Sequence, residues 1–258
     1  MIKTLHRFLY AWLFLTKLPA PPLPKATKED WGRITPYFVL IGFMLGFILY
    51  FFAKLLHKFD LPVMFSSLLL VLLWNLITGS LHLDGLMDTF DGINCQDLER
   101  KVDAMRDSRI GAFGAIAGIF AVLFKLVALC TLILNKMFIV ILISVPLARL
   151  LGVYALSFLS YSKQAGTSSS LIVTGLKKPI DFFVNFIVFI IGFLILFFIF
   201  HLQLSFVLLI LMSFFLSLIW SYWLNNHFKG HSGDTYGALI ELTEVTVLCL
   251  AVVLKNHL

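Results

Sequence analysis

The sequence predicts an all-α integral membrane protein, a polytopic bundle of about seven transmembrane helices with an amphipathic segment at its N-terminus. Three observations carry that reading. Of the 258 residues 60% are hydrophobic and 13% charged, too little polar surface to cover a water-soluble globule of this size. The apolar residues fall in blocks long enough to cross a hydrocarbon layer of about 30 Å at about 1.5 Å per helical residue. Basic residues flank those blocks unevenly, as in a chain oriented in a bilayer. Residues 1–258 read as a single membrane-embedded domain without an internal repeat.

The first 24 residues combine positive charge with an aromatic run. Lys17 interrupts the apolar stretch, and Pro-Ala-Pro-Pro-Leu-Pro follows it, a poor cleavage region for a signal peptide. An amphipathic segment lying on the membrane surface is the better reading, with Phe8, Tyr10, Trp12 and Phe14 as interfacial anchors. Seven spans then follow, at 36–53, 61–81, 110–134, 137–160, 180–200, 204–224 and 236–254. With the N-terminus inside, fourteen Lys and Arg residues fall on the cytoplasmic side and four on the other. That bias favours N-in, C-out. It places the polar connections 82–109, 161–179 and 225–235 together on the cytoplasmic face of a bacterial or archaeal inner membrane. Within them Lys163–Thr174 reads as a flexible polar linker.

A net charge of +6 raises nucleic acid as a partner, but no dense basic stripe or nucleic-acid module accompanies it. No nucleic acid is expected; membrane lipid is. Cys95, Cys130 and Cys249 have no metal-ligand spacing and predict no disulfide.

The strongest chemical signal is His82-Leu-Asp84-Gly-Leu-Met-Asp88-Thr-Phe-Asp91-Gly92. Asp84, Asp88 and Asp91 are spaced i, i+4, i+7, which on a helix puts them within about 60° of one another. Two carboxylates about 5 Å apart repel by roughly 3 kcal/mol at an effective dielectric of 20. A hard divalent cation, Mg²⁺ or alternatively Mn²⁺, offsets that repulsion and takes carboxylate and phosphate oxygens. The competing reading makes the two Asp-Gly pairs turn signals or helix caps, with Asp88 merely solvated.

Asp234, Glu241 and Glu244 form a second set at i, i+7, i+10, an arc of about 80°. The two glutamates interrupt an apolar run and must face a wet site or the protein interior. They read as a second half of the metal site, or as paired structural polar groups. Arg106, Arg109 and Arg149 are the candidates for holding substrate phosphate, Arg109 through a bidentate fork. Pairing of Arg106 and Arg109 with Asp103 and Asp107, and snorkelling of Lys125 and Arg149, are the alternatives. His82 either orients an acid, contacts a phosphate, or is a satisfied polar neighbour.

Four stretches together resemble the cobalamin synthase (adenosylcobinamide-GDP ribazoletransferase) family. They are Phe14-Leu-Thr-Lys-Leu-Pro19, the segment Thr78 to Gly92, Met105-Arg-Asp-Ser-Arg-Ile-Gly-Ala-Phe-Gly114, and Gly233-Asp-Thr-Tyr-Gly-Ala through Glu241-Leu-Thr-Glu244. Lys229-Gly-His-Ser-Gly-Asp234 departs from the family's richer Gly/Thr run, which puts the role of His231 in question.

The resemblance implies an integral membrane enzyme using Mg²⁺. Its substrates would be adenosylcobinamide-GDP and α-ribazole, or α-ribazole 5′-phosphate, with release of GMP. Asp84, Asp88, Asp91, Asp234, Glu241 and Glu244 would hold metal, and one non-ligating carboxylate or His82 would take the hydroxyl proton. Oligomerisation stays open. CDP-alcohol phosphotransferases are the nearest alternative in chemistry, but the Ala-Arg expected after Asp84-Gly85 is missing. A cation-coupled transporter is disfavoured by the one-sided acids and the lack of internal symmetry.

Overall fold

The computed structural model describes residues 2–162 and 167–258, and every regular element among them is helical. In chain order these are α1 (Ile2–Leu15), α2 (Lys28–Trp31), a 3₁₀ turn (Thr35–Tyr37), α3 (Phe38–Lys58), α4 (Val63–Thr78) and α5 (Leu81–Ile93). They continue with α6 (Leu98–Arg106), α7 (Ala112–Leu134), α8 (Ile139–Phe158), α9 (Thr167–Gly175), α10 (Ile180–Ile199), α11 (Ser205–His227) and α12 (Gly233–Val253). Six helical stretches, those containing α3, α7, α8, α10, α11 and α12, are long and apolar enough to cross a membrane. The chain is a polytopic membrane helical bundle, as the composition requires. All three cysteines are free thiols.

The expected second span is a broken one. α4 ends at Gly79 and Ser80, both in the left-handed region at φ 62° and 54°. A left-handed residue closes a helix by letting its N–H reach back to the last carbonyls; here Gly79 and Ser80 donate to Leu76 and Asn75. Two such residues in succession turn the chain, and α5 leaves at 88° to α4. The first acidic motif therefore occupies a separate short helix instead of a loop beyond a straight span. Lys17 N–H donates to the Ile77 carbonyl at 2.8 Å, fastening the N-terminal segment to this corner.

The centre of the bundle is α8, in which only Tyr154 and Phe158 escape burial. It receives α3 along Gly42 and Gly46; a Cβ at Gly42 would stand 2.8 Å from Pro146 Cα. Small residues at such crossings let backbones approach where lipid gives no hydrophobic drive. α10 and α11 are only 22% and 28% buried across their spans and present Phe, Ile and Leu to lipid.

The N-terminal segment is more than a surface anchor. Arg7 pairs with Glu29 at 2.7 Å and Asp30 at 3.2 Å, joining α1 to α2. The Thr27 hydroxyl donates to the Asp30 carboxylate at 2.6 Å. Tyr10 is buried with its hydroxyl donating to Pro24 O, and Phe14 stacks on Phe38 at 6.0 Å. The linker expected at Lys163–Thr174 lies outside the described residues as far as Gly166. From Thr167 it is helical, and Gly175 meets Gly32 of the α2 end in direct backbone contact.

Candidate active site

The site forms where α5 crosses the start of α12. Gly85 has no side chain, and a Cβ there would lie 2.7 Å from Asp234 O and 3.1 Å from Asp234 Cα. Gly237, one turn further on, faces Gly85 Cα and His82 Cα, where a Cβ would stand at 3.4 Å, in ordinary contact. Glycine on both helices thus removes the layer of side chains that would hold the two backbones apart. Two acidic segments some 150 positions apart in sequence meet through that contact. The charges bearing on Asp88 are those of Asp84, Asp234 and Asp91, and those bearing on Asp234 are Asp84, repulsively, and Arg106, attractively.

The three aspartates of α5 are not equivalent. Asp84 is exposed, whereas Asp88 and Asp91 are half-buried. Asp91 accepts hydrogen bonds from Gly111 N at 2.8 Å and Gly114 N at 2.7 Å, one on each carboxylate oxygen. It caps the N-terminus of α7, where the unpaired N–H groups and the helix dipole favour an anion. Gly111 and Gly114 are required there, because a Cβ at either would collide with the Asp91 carboxylate. The helix-cap reading of Asp91 is realised, on a neighbouring helix.

Glu241 and Glu244 lie one layer deeper along α12, and the structure does not bring them to the aspartates. Lys125 of α7 reaches both, with Nζ 2.7 Å from Glu241 Oε1 and 2.7 Å from Glu244 Oε2. Arg149 of α8 pairs with the other oxygen of Glu244, and all four side chains are at most 4% exposed. Lys125 also sits 4.7 Å over the Trp74 ring. The expected second metal half-site is therefore a closed ion-pair network. Two cations already neutralise the two carboxylates, which is how buried charges are tolerated in a membrane interior.

The three phosphate-binding candidates separate. Arg149 is fully buried and engaged by Glu244, so the network replaces the expected phosphate contact. Arg109 is 88% exposed and bonded to Asp107, with Nη2 2.7 Å from Oδ2. Its guanidinium and backbone N–H hold the Asp107 carboxyl down at about 2. Arg106 borders a cavity of about 120 Å³ shared with Ser162, Ser232 and Asp234. It is the one of the three placed beside the aspartates.

A second cavity of about 330 Å³ also borders Asp234. Asp84 and His82 stand at this wall, and Phe14, Leu15, Leu156 and Ile240 supply much of the rest. His82 is buried, and Arg149 Nη2 lies 3.5 Å from its Nδ1. An arginine nitrogen only donates, so Nδ1 accepts and a neutral His82 carries its proton on Nε2.

Sequence reasoning alone does not single out Gly85 and Tyr236, which shape this site, and leaves the role of His231 open. His231 is buried between α11 and α12, with Nε2 3.2 Å from Ser221 O and Nδ1 3.1 Å from Thr235 Oγ1. Its ring stacks on Tyr236 at 4.9 Å and 13°. Desolvation lowers its pKa to about 4, so it is neutral and positions the start of α12. The Asp-Thr-Tyr-Gly pattern after His231 is the only sequence hint of that role. His227 similarly ties Lys101 and Ile93 O to the end of α11.

Among the described residues no three His, Cys, Asp or Glu side chains converge closely enough to enclose a metal ion by themselves. One or two of the mutually repelling carboxylates of Asp84, Asp88 and Asp234 still suit an ion that fills its remaining positions with water and phosphate, the usual habit of Mg²⁺.

The family model described as cobalamin-5-phosphate synthase matches residues 7–252. An adenosylcobinamide-GDP ribazoletransferase of Thermosynechococcus vestitus is 34% identical over 244 residues, 94% of each chain. Enzymes of the same name from Synechococcus elongatus and Clostridium botulinum are 34% and 32% identical, over 92% and 97% of this chain and 92% and 98% of theirs. No solved structure matches significantly. With nearly its whole length matched and the two acidic segments brought together, the chain belongs to the cobalamin-5-phosphate synthase family of membrane transferases.

Proposed function

We propose that the protein joins adenosylcobinamide-GDP to α-ribazole, or to α-ribazole 5′-phosphate, and releases GMP. The observation that carries this reading is the Gly85–Asp234 contact, which brings the aspartates of α5 to Asp234, a residue that borders two cavities. A phosphoryl transfer needs an acceptor and a leaving group on opposite sides of one phosphorus. Two cavities sharing Asp234 suit that demand.

In this reading the acceptor hydroxyl attacks the phosphorus attached to cobinamide. The bond from that phosphorus to the bridging oxygen breaks, and GMP leaves with the electron pair. The hydroxyl proton passes to a carboxylate. His82 is poorly suited to receive it, because Nδ1 already faces Arg149 and Nε2 bears the proton. Asp84, exposed at the larger cavity, is the base we favour. His82 then donates from Nε2, orienting the acceptor. Arg106 supports the leaving phosphate from the smaller cavity.

Mg²⁺ held by Asp88 and Asp234 would neutralise the crowded pyrophosphate and the leaving oxygen when bound. Asp91 contributes through the α7 cap, and the Lys125–Glu241–Glu244–Arg149 network fixes α12 and α8 behind the site. The bias of Lys and Arg, fourteen on the side of the 82–109 and 225–235 connections against four on the other, supports a cytoplasmic orientation.

Purified protein in liposomes should release GMP from adenosylcobinamide-GDP only with both α-ribazole (or its phosphate) and Mg²⁺ present. Release of CMP from a CDP-alcohol instead would overturn the assignment.

A further inference from the structure

The larger cavity has a wall chemistry that selects among the groups the two substrates carry. We infer that it is the seat of the acceptor's benzimidazole base, with the Tyr236 hydroxyl as its polar recognition group. This assignment rests on the ribazoletransferase reading above.

Size excludes the corrin macrocycle. Sites for drug-sized ligands run from about 300 to 1,000 Å³, and this cavity of about 330 Å³ is at the small end. Guanine fits less well: with Asp84, His82 and Asp234 serving the reacting groups, the Tyr236 hydroxyl is the one polar side chain of the wall left for its several donors and acceptors, and each one left unpaired costs about 1–3 kcal/mol. A benzimidazole is flat, carries no exocyclic polar group, and offers one unsubstituted ring nitrogen as an acceptor.

The wall has a matching set of features. Gly152 and Gly237 contribute backbone to the wall, the space over them being filled by Ile240 and by α5. Phe14 and Phe38, mutually stacked at 6.0 Å and 18°, add aromatic surface. Tyr236 belongs to the same wall, is only 7% exposed, and its hydroxyl is buried with no hydrogen-bond partner among the described residues. Buried hydroxyls are ordinarily paired. One acceptor atom on a bound ring would pair this one, while the His231 stack keeps the tyrosine ring in place. Asp84 and His82 lie at this wall too, which puts the ribose of a seated nucleoside beside the reacting groups.

The test is equilibrium binding of α-ribazole alone, and of adenosylcobinamide-GDP alone, to the full-length protein in lipid nanodiscs. Tyr236→Phe keeps the ring and the stack and removes only the hydroxyl. It should weaken α-ribazole about 5- to 10-fold, the loss of one buried hydrogen bond, and leave the corrinoid within twofold. Leu81→Trp fills the cavity from a position that is 40% exposed and should weaken α-ribazole more than tenfold. Unchanged α-ribazole affinity in both variants, as expected if the cavity holds an acyl chain, overturns the assignment. So does an equal weakening of both substrates. A wild-type protein that releases no GMP overturns the activity itself. One that releases GMP while both variants bind α-ribazole normally overturns only the placement of the base.

Discussion

Gly85 of α5 rests against the backbone of Asp234 on α12, so closely that a single methyl group would come within 2.7 Å of the Asp234 carbonyl oxygen. The contact is backbone to backbone, and no flexible side chain can yield to relieve it. Gly85→Ala must therefore move α5 relative to α12. A displacement of about 1 Å between reacting groups can cost about 100-fold in rate. GMP release by Gly85→Ala should fall at least tenfold, while the protein still elutes as a folded species. An activity near wild type would show that the spacing of the two acidic segments is not critical.

Asp91 tests the division of labour among the three aspartates of α5. Asparagine at position 91 keeps one acceptor oxygen but sets an amide N–H₂ against one of the two backbone donors at Gly111 and Gly114. The lost cap should cost about 1 kcal/mol of stability, read as a lower thermal midpoint in detergent. Residual GMP release should exceed that of Asp84→Asn by at least tenfold.

The buried network predicts strong coupling. Glu244→Leu leaves Arg149 without its counter-charge, and Arg149→Met leaves Glu244 with Lys125 alone. Breaking one partner of a buried pair costs about 3–5 kcal/mol. The double variant retains the neutral Lys125–Glu241 pair and should lose much less than the sum of the singles. Additive losses in thermal unfolding would contradict the network.

His231 gives a pH signature. Burial lowers its folded pKa from 6.5 to about 4, so between those values the unfolded chain binds the extra proton. Stability is unaffected by this residue above pH 6.5 and is lost as pH falls toward 4, by about 3 kcal/mol at most. His231→Phe removes that titration and should flatten the acid limb of a plot of thermal midpoint against pH. An acid limb of unchanged slope would place the titrating group elsewhere.

Much of this arrangement is legible in the sequence, and the remainder is hidden for physical reasons. The apolar blocks identify the spans because lipid demands them, and the i, i+4, i+7 spacing puts Asp84, Asp88 and Asp91 on one helical face. The 88° corner is not legible. It depends on Ser80 joining Gly79 in a left-handed conformation that serine rarely adopts. The fate of Glu241 and Glu244 depends on Lys125, 116 positions earlier. Charge balance within the spans, two acids and two bases among lipid-soluble residues, is the signal that could have paired them. The distinct task of Asp91 follows from where α7 begins in space, which spacing along α5 does not encode.

The central claim is that Asp84 and Asp234 serve one reaction centre. It is tested most directly by GMP release from adenosylcobinamide-GDP and α-ribazole in Asp84→Asn, Asp234→Asn and the double variant. Groups that act as a unit are strongly non-additive. Each single variant should fall at least about 100-fold, with the double variant no slower than the worse single. Independent, multiplying losses, or wild-type turnover in either single variant, would mean that the two carboxylates do not share a site.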